Sequence, residues 1–171
     1  MSSTDIFRVF FDADALIAGS ASSTGASHVL LRLCEAGVIR GVTCAQAVRE
    51  VERNLVAKLP AALPVFRTIL GVTNLDIRPD SSPPQRCSQL AAVHPDDRPI
   101  LMSALDGKCN FLVTFNLRHY RGVTASITIA TPGDVLKQLK DGSTVSMGVP
   151  VTSLDAPDST RPRERPNERP G

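Results

Sequence analysis

Val9-Phe10-Phe11-Asp12-Ala13-Asp14 decides the reading of this chain. An apolar run stops abruptly at two acids separated by one alanine. A second stretch repeats the pattern, with Phe111-Leu112-Val113 ending at Thr114-Phe115-Asn116. Between them, Pro95-Asp96-Asp97-Arg98 opens an apolar helix. In a parallel α/β sheet, groups just past the carboxyl ends of strands gather in one crevice, where ligands bind. Carboxylates gathered there repel each other unless something neutralises them. A hard divalent cation such as Mg²⁺ does so, because it takes oxygen ligands and keeps several waters. These stretches point to a metal-dependent enzyme acting on phosphates.

Strands alternate with helices outward from this stretch. Strands are expected over 6–12, 38–43, 72–78, 110–114 and 126–131. A short helix and loop are expected over 13–25, and helices over 26–35, 45–59, 64–70, 85–93, 100–108 and 132–139. Gly37 is a natural stop for the helix before it. Val48, Val51, Leu55 and Leu59 form one stripe on the 45–59 helix, and Pro60 ends it. Pro132 stands at a permitted first-turn position. This alternation predicts an α/β fold with a parallel sheet covered on both faces.

A chain of 171 residues suits one domain with a real core. Aromatics are only 4% and Trp is absent, so small and aliphatic residues must fill that core. The net charge of +2 permits a nucleic-acid partner without demanding one. Cys34, Cys44, Cys87 and Cys109 form no C-x-x-C pair, and His28, His94 and His119 are scattered, which argues against zinc. The start lacks a signal-peptide layout, and no apolar run is long enough to span a bilayer. A reducing, cytoplasmic setting is expected. From Asp141 the chain turns rich in Pro, Ser, Thr and Gly, then in Arg and Glu. Residues 1–140 are expected as the folded domain and 141–171 as a disordered tail.

Each acid also has a plainer explanation. Asp12 stands where a helix cap belongs. Asp14 follows one residue later, and repulsion makes a second cap less natural. Asp97 precedes Arg98-Pro99, again a cap position, with Asp96 as its competitor. Asn116 suits an ordinary turn. Glu50 falls opposite the Val48/Val51/Leu55 stripe and Glu52 near its edge, so periodicity favours Glu52. The joint pattern carries more weight than any one residue. Acids or amides follow two strands, one opens the helix into the second of these, and one rides the helix after the second strand of the chain.

These residues resemble the PIN-domain family of nucleases, in particular the VapC-like ribonucleases of bacterial toxin–antitoxin pairs. The motif hhhD-x-[ND] is met by Val9 to Asp14, and E-h-x-x-x-L by Glu50-Val51-Glu52-Arg53-Asn54-Leu55. D-x-x-h-L-x-x-A-L is met by Asp97 to Leu105, and h-h-V-T-x-[DN] by Phe111 to Asn116. The resemblance covers about 6–139 and is most specific in the last two motifs. It implies a three-layer α/β/α sandwich with a mainly parallel sheet. It also implies catalysis by Asp12, Glu50, Asp97 and Asn116 around Mg²⁺ or Mn²⁺, with Asp12 and Asp97 as the main metal carboxylates. On this alignment Glu50, not Glu52, is the third acid. Asn116 takes the place of a fourth acid, with the Thr114 hydroxyl nearby. Asp14 stands where Asn is commoner and supplies charge that Asn116 lacks. Tyr120 ends a short Asn116-Leu117-Arg118-His119 turn where members often carry an acid and Phe.

The resemblance further implies an RNA substrate, metal activation of a water without a covalent intermediate, a homodimer and an antitoxin partner. Arg98, Lys108 and Arg118 are candidate phosphate contacts, with surface charge the favoured reading of Lys108. Two other functions compete. A PIN module that binds nucleic acid without catalysis fits the uncharged Asn116. A haloacid-dehalogenase-like phosphatase fits Asp12-Ala13-Asp14, but the chain after Lys108 lacks the late acidic pair that chemistry needs.

Overall fold

The computed structural model describes residues 6–82, 90–123 and 126–141. The expected helix over 85–93 falls mostly outside these, and its described end at 90–93 is a turn. The expected tail over 142–171 also lies outside them.

Five parallel strands form one sheet: β1 (Arg8–Phe11), β2 (Arg40–Cys44), β3 (Asp76–Arg78), β4 (Phe111–Val113) and β5 (Thr128–Ala130). Their spatial order is β3-β2-β1-β4-β5. The central strands are apolar on both faces, and Val9, Phe10, Phe11, Leu112 and Val113 are fully enclosed. Such strands must be covered by helices on both sides. The helices are α1 (Ala13–Ala21), α2 (Ala26–Glu35), α3 (Ala45–Lys58), α4 (Leu63–Val72), α5 (Arg98–Asp106) and α6 (Pro132–Lys140). α1 packs against α2, α3 and α4, and α6 packs against α2. α5 packs on β2. The chain reverses direction across the sheet between β3 and β4. A right-handed crossover therefore puts α5 on the opposite face. The result is the expected three-layer α/β/α sandwich.

Two glycines permit this packing. A Cβ on Gly19 would lie 2.5 Å from Leu31 Cδ1, so a larger residue there would push the Leu31 side chain of α2 aside. A Cβ on Gly41 would collide with Leu75 and sit 2.9 Å from Cys34 Sγ. Gly37 adopts φ +72°, the left-handed turn that stops α2.

Several expected boundaries move. Val38 is 58% exposed and precedes β2, which begins at Arg40. Val72 belongs to the end of α4, so β3 is confined to three residues. On α3 the buried line is Ala47, Val51 and Leu55. Val48 is only partly buried, and Leu59 is the exposed C-cap. The true stripe is thus rotated from the expected one.

β1 and β4 are neighbours, with Phe11 in register with Val113. The chain leaves β1 toward β2 and β3 on one side and reaches β4 and β5 on the other. The edge beyond Phe11 and Val113 is therefore the topological switch point, where a crevice opens.

Candidate active site

The β1–β4 register sets Asp12 beside Thr114. The Asp12 backbone N–H donates to the Val113 carbonyl over 3.1 Å, and the buried Thr43 hydroxyl donates to the Phe11 carbonyl over 3.0 Å. Asp12 is only 8% exposed and Thr114 is fully buried. Asp12 also caps α1: its Oδ1 accepts from the Ala13 N–H over 2.7 Å. The capping role and a site role therefore coexist, because the other oxygen, Oδ2, accepts from the Tyr120 hydroxyl over 3.2 Å.

Asp14 lies in the first turn of α1 and leans across to the end of β4. Its Oδ2 accepts from the Thr114 hydroxyl at 3.0 Å, the Phe115 N–H at 2.9 Å and the Asn116 amide at 3.1 Å. Its Oδ1 is buried and has no partner among the described residues. An orphaned buried carboxylate oxygen costs free energy, on the order of 1–3 kcal/mol or more. Burial pushes the Asp12 carboxyl up to about 7, and the Asp14 charge pushes in the same direction. Burial likewise raises Asp14, against its hydrogen bonds from Phe115 and Thr114. Both carboxylates are held at a cost that a cation would relieve.

Asp97 ends the 3-10 turn Pro95–Asp97 just before α5, yet its side chain does not cap that helix. Instead its Oδ2 lies 3.0 Å from His119 Nδ1. Burial raises the Tyr120 hydroxyl pKa, and the charges of Asp12, Asp97 and Asp14 raise it further. The phenol therefore stays a donor to Asp12. His119 and Tyr120 share the 3-10 turn Leu117–Tyr120, which follows Asn116. One turn thus touches both Asp12 and Asp97.

Glu50 and Glu52 are both half-buried on α3. At about 100° per residue they flank the Ala47/Val51/Leu55 line on opposite sides. Glu50 sits one turn after Gln46 on the same side. The Gln46 side chain donates to the Asp96 carbonyl over 3.1 Å, so that side of α3 meets the Asp97 turn. Asp80, from beyond β3, accepts the Gln46 N–H at 2.6 Å and pairs with Arg49, which lowers its pKa and fixes the start of α3. Glu52 lies on the other side of that line. No hydrogen bond or ion pair links the Glu50 carboxylate to Asp12, Asp14 or Asp97 among the described residues.

Asn116 and Arg118 are exposed. Arg98 donates to the Val93 carbonyl over 3.1 Å. Lys108 precedes β4 and so lies at the opposite edge of the sheet from Asp12, which removes it from this site and from any phosphatase role with Asp12.

Among the described residues, no three His, Cys, Asp or Glu side chains converge closely enough to enclose an ion. The donor chemistry nevertheless fits a hard divalent cation. Asp12, Asp14, Asp97 and Thr114 offer oxygen, the orphaned Asp14 Oδ1 needs a positive partner, and Mg²⁺ completes its shell with water.

Sequence reasoning did not assign His119, Tyr120 and Gln46 to the site. A usable signal was the turn itself: a buried Tyr with a neighbouring His, three and four residues after the β4 motif.

A search of curated proteins returned no match. Among solved structures, the fold is similar to a chain of VapBC2 from Rickettsia felis, bound to a DNA fragment from their promoter. The TM-score is 0.54 and the identity 11%, covering 73% of this chain and 98% of that one. At that identity the likeness concerns the fold alone. A PIN domain family model matches residues 8–118, from the start of β1 into the turn that carries His119 and Tyr120. That match spans most of the chain and every acid of the site, and the chain belongs to the PIN-domain family.

Proposed function

We propose that this chain is a metal-dependent endoribonuclease that hydrolyses RNA phosphodiesters, and that it acts as the toxin of a toxin–antitoxin pair. The carrying observation is the state of Asp12 and Asp14. They stand one residue apart, largely buried and driven toward protonation, and Asp14 Oδ1 has no partner among the described residues. That arrangement suits a cation.

Asp12 and Asp97 would hold Mg²⁺ or Mn²⁺, with Asp14 alongside. When bound, such an ion activates a water and neutralises charge on the scissile phosphate. The chain's own groups orient that site. Tyr120 fixes one oxygen of Asp12, and His119 fixes one oxygen of Asp97. Thr114, Phe115 and Asn116 fix one oxygen of Asp14. Glu50, on the Gln46 side of α3, would be the further acid. Arg118, exposed on the same turn, would meet a phosphate.

The partner proposal rests on the family resemblance, and the similarity to VapBC2 supports it. An antitoxin would cover the acidic crevice, and the toxin would be a homodimer. No helix among the described residues is long and apolar enough to cross a membrane.

The test is cleavage of single-stranded and structured RNAs with Mn²⁺, Mg²⁺ or EDTA, comparing wild type with Asp97→Asn. Metal-dependent cleavage, lost in EDTA and in the variant, supports the reading. One observation favours a second reading, a binding module without catalysis: the Asn116 amide is engaged on Asp14. Under that reading RNA binds without any metal-dependent cleavage.

A further inference from the structure

The chain holds six Phe, one Tyr and no Trp. Phe10, Phe11, Phe66 and Phe111 are buried, Phe7 packs partly against the core, and Tyr120 is enclosed. Phe115 alone among them stands in solvent, 54% exposed. It contributes nothing to the core. Yet its backbone is among the most firmly held in the site. The Phe115 N–H donates to Asp14 Oδ2, and its neighbours Thr114 and Asn116 donate to the same oxygen. The ring therefore projects from the acid cluster itself on a fixed base.

Leu117, Arg118 and His119, which follow it in the chain after Asn116, are apolar or basic. Leu117 is 40% exposed. Arg118 is exposed on the 3-10 turn, and Arg121 is exposed just past its end. The rings of His94 and His119 lie 6.0 Å apart beside Asp97. A flat apolar face next to side chains that attract phosphate is the arrangement by which proteins hold single-stranded nucleic acid.

We propose that Phe115 is a stacking platform for an unpaired RNA base beside the scissile phosphate. It would splay that base from its neighbours while Arg118 and Arg121 hold the adjoining phosphates. This rests on the ribonuclease reading and adds a base-binding subsite to it. Double-stranded RNA could not present a base face to the ring, so the subsite selects single strands.

The lack of Trp supplies the test. Phe115→Trp places a single fluorophore at the subsite in the full-length protein. The probes are short oligouridylate and oligoadenylate, and matched oligomers carrying abasic sugars, with Ca²⁺ in place of Mg²⁺ or Mn²⁺. Stacking predicts quenched emission with base-bearing oligomers and little change with abasic ones. Phe115→Ala should weaken binding about 5- to 100-fold, the range for losing one stacked base. Phe115→Tyr should retain it, and thermal melts should stay close to wild type, since the ring is outside the core.

If Phe115→Ala binds RNA as well as wild type, or if abasic oligomers quench equally, the subsite is wrong while the ribonuclease stands. If Trp emission responds only to raised protein concentration, the ring is a contact between copies and the proposal falls. If wild type neither binds nor cleaves any RNA, the ribonuclease reading fails and the subsite fails with it.

Discussion

His119 Nδ1 and Asp97 Oδ2 stand 3.0 Å apart, and the next residue, Tyr120, donates to Asp12 Oδ2. One turn of 3-10 helix thus holds two carboxylates that arrive from different parts of the chain. The Tyr120–Asp12 bond joins residues separated by 108 positions. Side chains that steady a metal ligand typically change metal affinity 10- to 100-fold when removed. His119→Ala is expected to weaken Mn²⁺ binding by about tenfold, and Tyr120→Phe by a similar order. Calorimetric titration of Mn²⁺ measures both. Unchanged affinity with a lowered melting point would make the turn a structural clip only.

Asp14 separates stability from function. Asp14→Asn keeps an acceptor for the Thr114, Phe115 and Asn116 donors, and it puts an NH₂ group where the orphaned oxygen was. It also removes the charge that repels Asp12. The metal-free protein is expected to melt a few degrees higher, since about 1 kcal/mol corresponds to roughly 3 °C in a domain of this size. Mn²⁺ affinity is expected to fall. Adding Asn116→Asp should recover part of that affinity, because it returns the charge to the neighbouring position. A lower melting point with unaltered Mn²⁺ binding would place Asp14 among the purely structural residues.

The sheet and the positions of Asp12, Asp97 and Asn116 in it were legible because Asp12 and Asn116 follow strands and Asp97 opens α5, each within a short motif. α3 was misread for a physical reason. Periodicity weighs large side chains, so it chose Val48 and Leu59. The structure buries Ala47 completely, on a helix that packs against α1. Leu59 falls past the end of the helix and faces water. The roles of His119, Tyr120 and Gln46 depend on contacts between distant segments, and no local spacing encodes those.

Asp12 predicts how metal-free stability depends on pH. Its carboxyl is raised from 3.8 to about 7 in the fold, chiefly by burial. Between those values the native protein binds more protons than the unfolded chain, so stability falls as pH rises. The contribution is fully present below about pH 4 and lost by about pH 7, and it is worth on the order of a few kcal/mol. In EDTA, denaturant midpoints should decline across this window. With saturating Mn²⁺ the trend should reverse, because the ion binds the ionised form. A flat metal-free profile from pH 4 to 7 would mean that Asp12 is hydrated and ordinary.

Glu50 and Glu52 provide the sharpest test of the site's extent. Both are half-buried on α3, but only Glu50 shares the Gln46 side, which the Asp96 carbonyl ties to the Asp97 turn. Glu50→Gln is expected to lower RNA cleavage on the order of a hundredfold, the scale for removing a working catalytic carboxylate. Glu52→Gln should leave cleavage near wild type. Gln46→Ala should act through Glu50, loosening α3 from the turn and lowering the rate by less than Glu50→Gln does. The double variant Gln46→Ala/Glu50→Gln should then be no slower than Glu50→Gln alone, since residues acting as a unit are not additive. Full additivity in single-turnover assays would show that Gln46 supports Asp97 rather than Glu50. A large loss in Glu52→Gln with none in Glu50→Gln would turn the assignment of this helix around.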